Sequence, residues 1–412
     1  MRKKTLNVTI DFGNESYKVI INGKRVTVPY QITGFDVRML DMYDKTAGKE
    51  GFIKHHLIES IPGEFQEYLV GKFAQGKIAR DESILINKDS SDDMNKMQDE
   101  NKKREDYGRY TNHMFVVGFE AVFGYAVIEY IKVNPDYAVE ELGDYEINIL
   151  AAYPHSLVAE IGKDSALKIM GEHYYQLQVN DKTYDFKYNV QKVFYDSQAM
   201  CEFYSMVYND DGAIDRYDIL EKLPLLLLDG GYGTLGIVSF QKNGAIFKDD
   251  AESNTEFAMR AIYSAVAEVF TKQYDRPQTH RTIAELIKSG EKTIKVNKEL
   301  QVNDGKEEYV NKIQHIDIDT IYKEKLDESL KGLIEYLKKK FPNFLDYKGV
   351  FIGGGTGKEY FELFKKYTSD IFEPEEVILT ARDFYGQAGN PVFAIAEGGY
   401  KLLLNKLSKD NN

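Results

Sequence analysis

The sequence predicts an α/β protein of two lobes with related designs, and three observations carry that prediction. The chain has 412 residues, more than one domain of roughly 100 to 200 residues accommodates. One device occurs twice: an apolar run ending in Asp-x-Gly, a polar turn, a second run of β-formers and an Asn-Gly turn. It appears first around Asp11 and again 218 positions later around Asp229. Between and after these copies, apolar residues recur at helical spacing. Hydrophobic residues make up 43% of the chain and charged ones 29%, enough for a sizeable core and too apolar for general disorder.

The first copy runs from Val8 to Pro29, with Asn22-Gly23 as a hairpin turn. Glu67 to Gly71 reads as a strand. Gly108 to Ile131 reads as a helix that turns Phe115, Val116, Phe119, Val122, Phe123, Ala126 and Val127 to the core. Between them, residues 87–106 hold twelve charged side chains of both signs, the composition of a solvated surface insertion. Glu146 to Pro154 reads as a buried strand, Tyr174 to Val190 as a hairpin about Asn180-Asp181, and Val193 to Gln198 as a strand end. The second copy opens at Leu225, turns at Asn243-Gly244 and continues into Ala245 to Phe247. Helices are expected at Asn254 to Tyr274 and Thr320 to Phe341, so the second lobe reads as strands first and helices after. Gly349 to Phe361 reads as strand, glycine turn and helix, and Pro391 to Leu407 as a closing helix.

Charge and cysteine usage narrow the function. With 53 Lys and Arg against 66 Asp and Glu, the formal net charge is −13, which repels phosphate backbones and disfavours direct DNA binding. The single cysteine, Cys201, has no internal partner and no zinc-site spacing, as suits a reducing cytoplasm. His55, His56, His113, His155, His173, His280 and His315 lack the spacing of a metal motif and read as ordinary surface or core residues. Met1-Arg2-Lys3-Lys4 runs into a strand pattern and not into an apolar signal core. The most apolar stretch, His113 to Ile131, carries Glu120 and Glu129 and falls short of a bilayer span.

Two glycine motifs imitate nucleotide signatures. Gly231-Tyr232-Gly233-Thr234-Leu235-Gly236 fits G-x-G-x-x-G, but Ile237 to Phe240 continues as a strand where a dinucleotide site requires a helix. A Walker-type phosphate loop would need glycine at 352 and Ser or Thr at 359, where Ile352 and Glu359 stand. Two Asp-x-Gly hairpins and one strand, glycine turn and helix remain. Turn amides and hydroxyls such as Ser16 and Thr234 can clamp phosphates, and Asp11 and Asp229 can hold a hydrated magnesium. Glycines at 353 to 355 admit a ligand close to the backbone. Two lobes would then close on one nucleotide.

In this order the segments resemble the phosphate 1, phosphate 2 and adenosine motifs of the actin, Hsp70 and sugar-kinase superfamily, and within it the ParM-type bacterial actins of plasmid segregation. Asp11-Phe12-Gly13-Asn14-Glu15-Ser16-Tyr17-Lys18 is similar to phosphate 1, Leu228 to Leu235 to phosphate 2, and Phe351 to Thr356 to the adenosine loop. Ala152-Tyr153-Pro154 and the hairpin leading into Val193 to Ser197 resemble the approach to connect 1. Phe393-Ala394, Gly398 and Tyr400-Lys401 resemble the closing helix.

The resemblance implies an actin-like, ribonuclease H-like fold of two α/β domains, each a five-stranded mixed sheet with helices, with nucleotide in the cleft between them. Residues 1–222 with 391–412 would form domain I, with the insert 87–106 in its outer subdomain, and 223–390 domain II. It implies ATP or GTP with Mg2+, bound through Asp11, Gly13, Asn14, Ser16, Tyr17, Lys18, Asp229, Gly230, Gly231, Gly233, Thr234, Leu235, Gly353, Gly354, Gly355 and Thr356. Asp11 and Asp229 would face the metal, and Asp11 and Asp196 would be catalytic. The family has Glu or Gln where Asp196 stands and Asn where Ile395 stands, so Gln198 is the alternative for positioning the attacking water. The resemblance also implies a cytoplasmic ATPase or GTPase that polymerises head to tail into filaments. Its partner would be a DNA-bound adaptor protein, with no direct nucleic-acid binding and no membrane. The competing readings are a small-molecule kinase of the same fold, with Asp196 as base, and another bacterial cytoskeletal actin, such as one tethered to a membrane by the basic amphipathic stretch Tyr400 to Leu407. A chaperone is set aside because the chain ends soon after the closing helix.

Overall fold

The structure is a computed structural model that describes residues 3–13, 16–29, 32–34, 51–57, 65–71, 110, 113–155, 157–179, 182–246, 251–291, 293–303, 306–341, 343–380 and 391–410. The chain forms two compact units, Met1–Tyr217 with Ala381–Asn412, and Asp218–Thr380. The insert 87–106 and the turn at Asn180-Asp181 lie outside the described residues.

The first unit is built on a mixed sheet of β1 (Thr5–Asp11), β2 (Ser16–Ile21), β3 (Lys24–Pro29), β7 (Glu146–Tyr153) and β10 (Lys192–Ser197), in the order β10-β7-β1-β2-β3. β1 is antiparallel to β2 and parallel to β7. β7 is buried from Ile147 to Tyr153 and so reads as a near-continuous apolar run, whereas β1 alternates Leu6, Val8 and Ile10 with Asn7 and Thr9. Leu6, Val8, Ile10, Val19 and Ile21 share a core with Phe115, Phe119 and Val122 of α1 (His113–Ile131). On β2, Ile20 turns the other way and packs with Phe393, Ala396 and Tyr400 near the start of α8 (Ala394–Asp410). Beside α8 lies α3 (Gln198–Val207), and α2 (Val158–Ile169) packs on β10.

A second sheet in this unit is antiparallel throughout and was not anticipated. It joins β4 (Ile32–Gly34), β5 (Gly51–Leu57), β6 (Phe65–Gly71), β8 (Gly171–Val179) and β9 (Lys182–Val190) in the order β4-β6-β5-β8-β9. Along β8, His173, Tyr175, Leu177 and Val179 are buried at every second position, the pattern of a sheet with one covered face. His173 is held on both ring nitrogens, by Glu120 Oε1 of α1 at 2.8 Å and by the Ile169 carbonyl at 2.8 Å.

The second unit repeats the first sheet's design. β11 (Leu225–Gly230), β12 (Leu235–Phe240), β13 (Ala251–Asn254), β16 (Val350–Gly353) and β17 (Val377–Leu379) take the order β13-β12-β11-β16-β17. The central β11 is antiparallel to β12 and parallel to β16, as β1 is to β2 and β7. Helices α4 (Met259–Tyr274), α5 (His280–Ser289), α6 (Ile318–Lys340) and α7 (Gly357–Tyr367) complete the unit. Two expectations are corrected here. Ala245 and Ile246 are not strand; the third strand is β13 at Ala251–Asn254 and the helix starts at Met259. A ribbon of β14 (Thr293–Asn303) and β15 (Lys306–Asp317) stands between the helices, so the unit is not strands first and helices after. Its outward face is solvated, so Lys, Glu and Asn mask an alternation in which, among the described residues, Ile294 and Val296 are the buried apolar members. Among the described residues no helix is long and apolar enough to cross a membrane.

Candidate functional site

The two Asp-x-Gly segments occupy equivalent places, the carboxyl ends of the central strands, where open α/β sheets bind ligands. In the first unit Asp11 lies opposite Ala152 of β7, and Ala152 lies opposite Asp196 of β10. Residues on one rung share a face, so both carboxylates stand on the same side, separated by two strand spacings of about 10 Å in all and by no more than a methyl group. On the other flank of Asp11 is Lys18 of β2. Asp11 is 4% exposed, and Gln198 Nε2 donates to its Oδ1 at 2.9 Å.

β10 passes into α3 without a loop. The Ser197 Oγ accepts from Met200 N–H at 3.1 Å and so caps the helix, while the Ser197 N–H donates to Asp196 Oδ1 at 2.8 Å. Burial pushes the Asp196 carboxyl up, opposed by the Ser197 N–H and by the charges of Lys406 and His155. Of the two sequence candidates, Gln198 is the one whose side chain reaches Asp11; Asp196 shares its rung. His155, read from sequence as ordinary, sits two residues past the end of β7 at this same edge. Burial lowers its imidazole and Asp196 pulls it back up. Its spacing carries no signal because strand pairing, not sequence proximity, brings it to Asp196.

In the second unit Asp229 lies opposite Gly236 on one side and Gly353 on the other, so its carboxylate is flanked by bare backbone. A Cβ on Gly354, whose φ is 76°, would fall 2.3 Å from Asp229 Oδ1 and 2.4 Å from the Gly230 carbonyl. A Cβ on Gly230 would lie 2.4 Å from Thr356 Oγ1, so a side chain there would force Thr356 to move. The Thr356 N–H donates to the Gly230 carbonyl at 3.0 Å and ties the two glycine turns together. Within the turn Gly231 to Thr234, the Gly231 N–H donates to the Thr234 carbonyl at 2.9 Å. The Gly231 and Tyr232 carbonyls accept from the Met259 and Arg260 N–H groups of α4 at 3.4 and 2.8 Å. Because C=O and N–H of a trans peptide point opposite ways, the N–H groups of Tyr232 and Gly233 are directed away from α4, as in an anion-binding nest.

Asn14 and the Ser16 side chain lie outside the described residues. Tyr17 is turned into the core, 1% exposed, with its ring 5.0 Å from that of Phe12, and Leu235 is buried in β12; these two offer a ligand their backbone alone. No group of three or more His, Cys, Asp or Glu among the described residues is placed to hold a metal. In each unit taken by itself, a lone aspartate at the end of the central strand suits a cation of the magnesium type, which takes one or two carboxylates and completes its shell from phosphates and water. Thr356 Oγ1 is buried without a hydrogen-bond partner among the described residues, as suits a hydroxyl awaiting a polar ligand.

No protein-family model and no curated protein matches the chain. Solved structures do. The crystal structure of the actin-like protein Alp7A superposes with a TM-score of 0.68 at 17% identity, over 99% of this chain and 98% of that one. ParM of Bacillus thuringiensis with ATP gives a TM-score of 0.57 at 13% identity, over 100% of each chain. The Alp12 filament structure gives 0.51 at 14% identity, over 98% and 99%. The fold is actin-like, as the sequence resemblance implies.

Proposed function

We propose that the chain is an actin-like, filament-forming protein that binds and hydrolyses ATP or GTP with Mg2+ and drives plasmid DNA segregation through a DNA-bound adaptor. The observation that carries this reading is the duplicated sheet with an aspartate at the carboxyl end of each central strand, one beside Gln198 and the other beside two interlocked glycine turns. In this reading the Tyr232 and Gly233 amides bind phosphate oxygens, and the turn Gly353 to Thr356 receives the nucleoside. Asp11 and Asp229 hold the hydrated cation, which would neutralise phosphate charge. Gln198 orients the attacking water from a carboxamide already fixed on Asp11. The solved structures of ParM with ATP and of an Alp12 filament support nucleotide binding and assembly as properties of proteins with this fold.

The test is nucleotide-dependent assembly. Protein mixed with Mg2+ and ATP or GTP is expected to scatter light above a critical concentration, and filaments should be visible by electron microscopy. Asp229→Ala should lose hydrolysis by a factor of about 100 or more. Nucleotide turnover without any polymer would favour a small-molecule kinase of the same fold.

A further inference from the structure

His155 is the titratable group at the sheet edge to which the reading above gives no task. It follows Pro154 at the carboxyl end of β7, the strand between β1 and β10, and so stands at the edge that carries Asp11, Asp196 and Gln198. Its Nδ1 is buried and makes no hydrogen bond among the described residues, a state that folded proteins avoid unless a water or a reaction uses the atom. Asp196 is the charged group that acts on it. Asp196 is itself faced by Lys406 of α8 and acts on Tyr204 of α3 and on Tyr208, which follows that helix.

The other polar groups are committed in ways that leave a role open. The Gln198 carboxamide donates to Asp11 and has no site basic enough to take a proton. Asp196 Oδ1 accepts the Ser197 N–H. A neutral imidazole is the better base near neutral pH.

We propose that His155 is the general base of nucleotide hydrolysis, acting on a water held between its Nδ1 and the free oxygen of Asp196. Nδ1 accepts a proton from that water as the water oxygen bonds to the terminal phosphorus. The bond from that phosphorus to its bridging oxygen breaks, and the electron pair leaves with the nucleoside diphosphate. The inference rests on the reading of the chain as a nucleotide hydrolase. The base must be neutral, and burial, which disfavours the imidazolium, keeps it so at neutral pH.

Phosphate release at saturating nucleotide and Mg2+, from about pH 5.5 to about pH 9, tests this on the full chain. Wild-type turnover is expected to fall on the acid side along a one-proton limb. His155→Gln should lower turnover by about 100-fold and abolish the limb, with unchanged affinity for a fluorescent nucleotide, and His155→Asn should behave alike. Normal turnover with the limb intact in His155→Gln would overturn the inference and leave the hydrolase reading standing. So would a flat wild-type profile, or variants that lose nucleotide affinity or folding, which would make His155 a structural residue. Wild-type protein that neither binds nor hydrolyses nucleotide would sink the hydrolase reading itself.

Discussion

Asp196 is kept where a carboxylate is costly, and that cost should be measurable apart from any catalytic role. Burial raises its carboxyl above the ordinary 3.8, so the folded chain binds this proton more readily than the unfolded one. By linkage, its contribution to stability improves as pH falls through the raised value toward 3.8, and above the raised value the buried charge is a net cost. Asparagine keeps the acceptor for the Ser197 N–H and removes the charge. Asp196→Asn is therefore expected to melt higher than wild type at about pH 8 and to lose that advantage at about pH 4; identical melting at the higher pH would contradict this. The neighbouring glycines 354 and 355 separate folding from binding in the same way. Gly354 has a positive φ and would drive a Cβ into Asp229, so Gly354→Val should lose stability and nucleotide binding together. A Cβ on Gly355 meets nothing within 4 Å. Gly355→Val should melt like wild type yet bind fluorescent nucleotide at least about tenfold more weakly, and unchanged affinity would remove this turn from the proposed site.

Among the elements, α3 and α8 cross more closely than side chains allow. A Cβ on Gly398 would fall 1.6 Å from the Cys201 carbonyl oxygen and 2.6 Å from the Ser205 nitrogen, so the glycine is required by backbone contact. One turn on, Lys401 is fully buried, and its Nζ donates to the Ser205 and Tyr208 carbonyls at 3.0 Å each, closing the end of α3 that faces it. Gly398→Ala is expected to cost about 3 kcal/mol by overpacking, read as a shift in the chemical-denaturation midpoint; an unshifted midpoint would mean the helices separate freely. The stretch from Tyr400 to Leu407 is thus explained in its buried half by packing on α3, which weakens its reading as a membrane surface. β7 and β11 were legible because burial fixes apolar residues along nearly their whole length, β1 because Leu6, Val8 and Ile10 alternate into the core, and α6 because its buried residues recur at helical spacing. The ribbon β14–β15 was not, although Asp304-Gly305 in the sequence is a hairpin signal, because charged outward residues hid the strand pattern. The antiparallel sheet of the first unit was missed because its members, β4 to β6 and β8 to β9, are far apart along the chain.

At the scale of the whole molecule, the repeat seen in sequence is a repeat of sheet topology. The chain places each Asp-x-Gly on a central strand with one antiparallel and one parallel neighbour, and this is why two short motifs could report a fold spread over 412 residues. What the motifs could not report is which side chain meets Asp11, since that depends on the cap at Ser197 and on the rung shared by β1, β7 and β10. In the proposed hydrolase that geometry would rank Gln198 first for orienting water, and the consequence would lie in the life of the proposed polymer. A residue that acts on the water and not on the nucleotide should leave binding and assembly intact while slowing turnover. Gln198→Ala is expected to assemble at the wild-type critical concentration, release phosphate about 100-fold more slowly, and lose scattering more slowly after nucleotide is exhausted by an added phosphatase. Its filaments would outlast those of the wild type because the bound nucleotide stays uncleaved. Wild-type phosphate release from Gln198→Ala would leave the water to Asp196 and His155 alone, whereas slow release with normal disassembly would show that hydrolysis does not set filament lifetime.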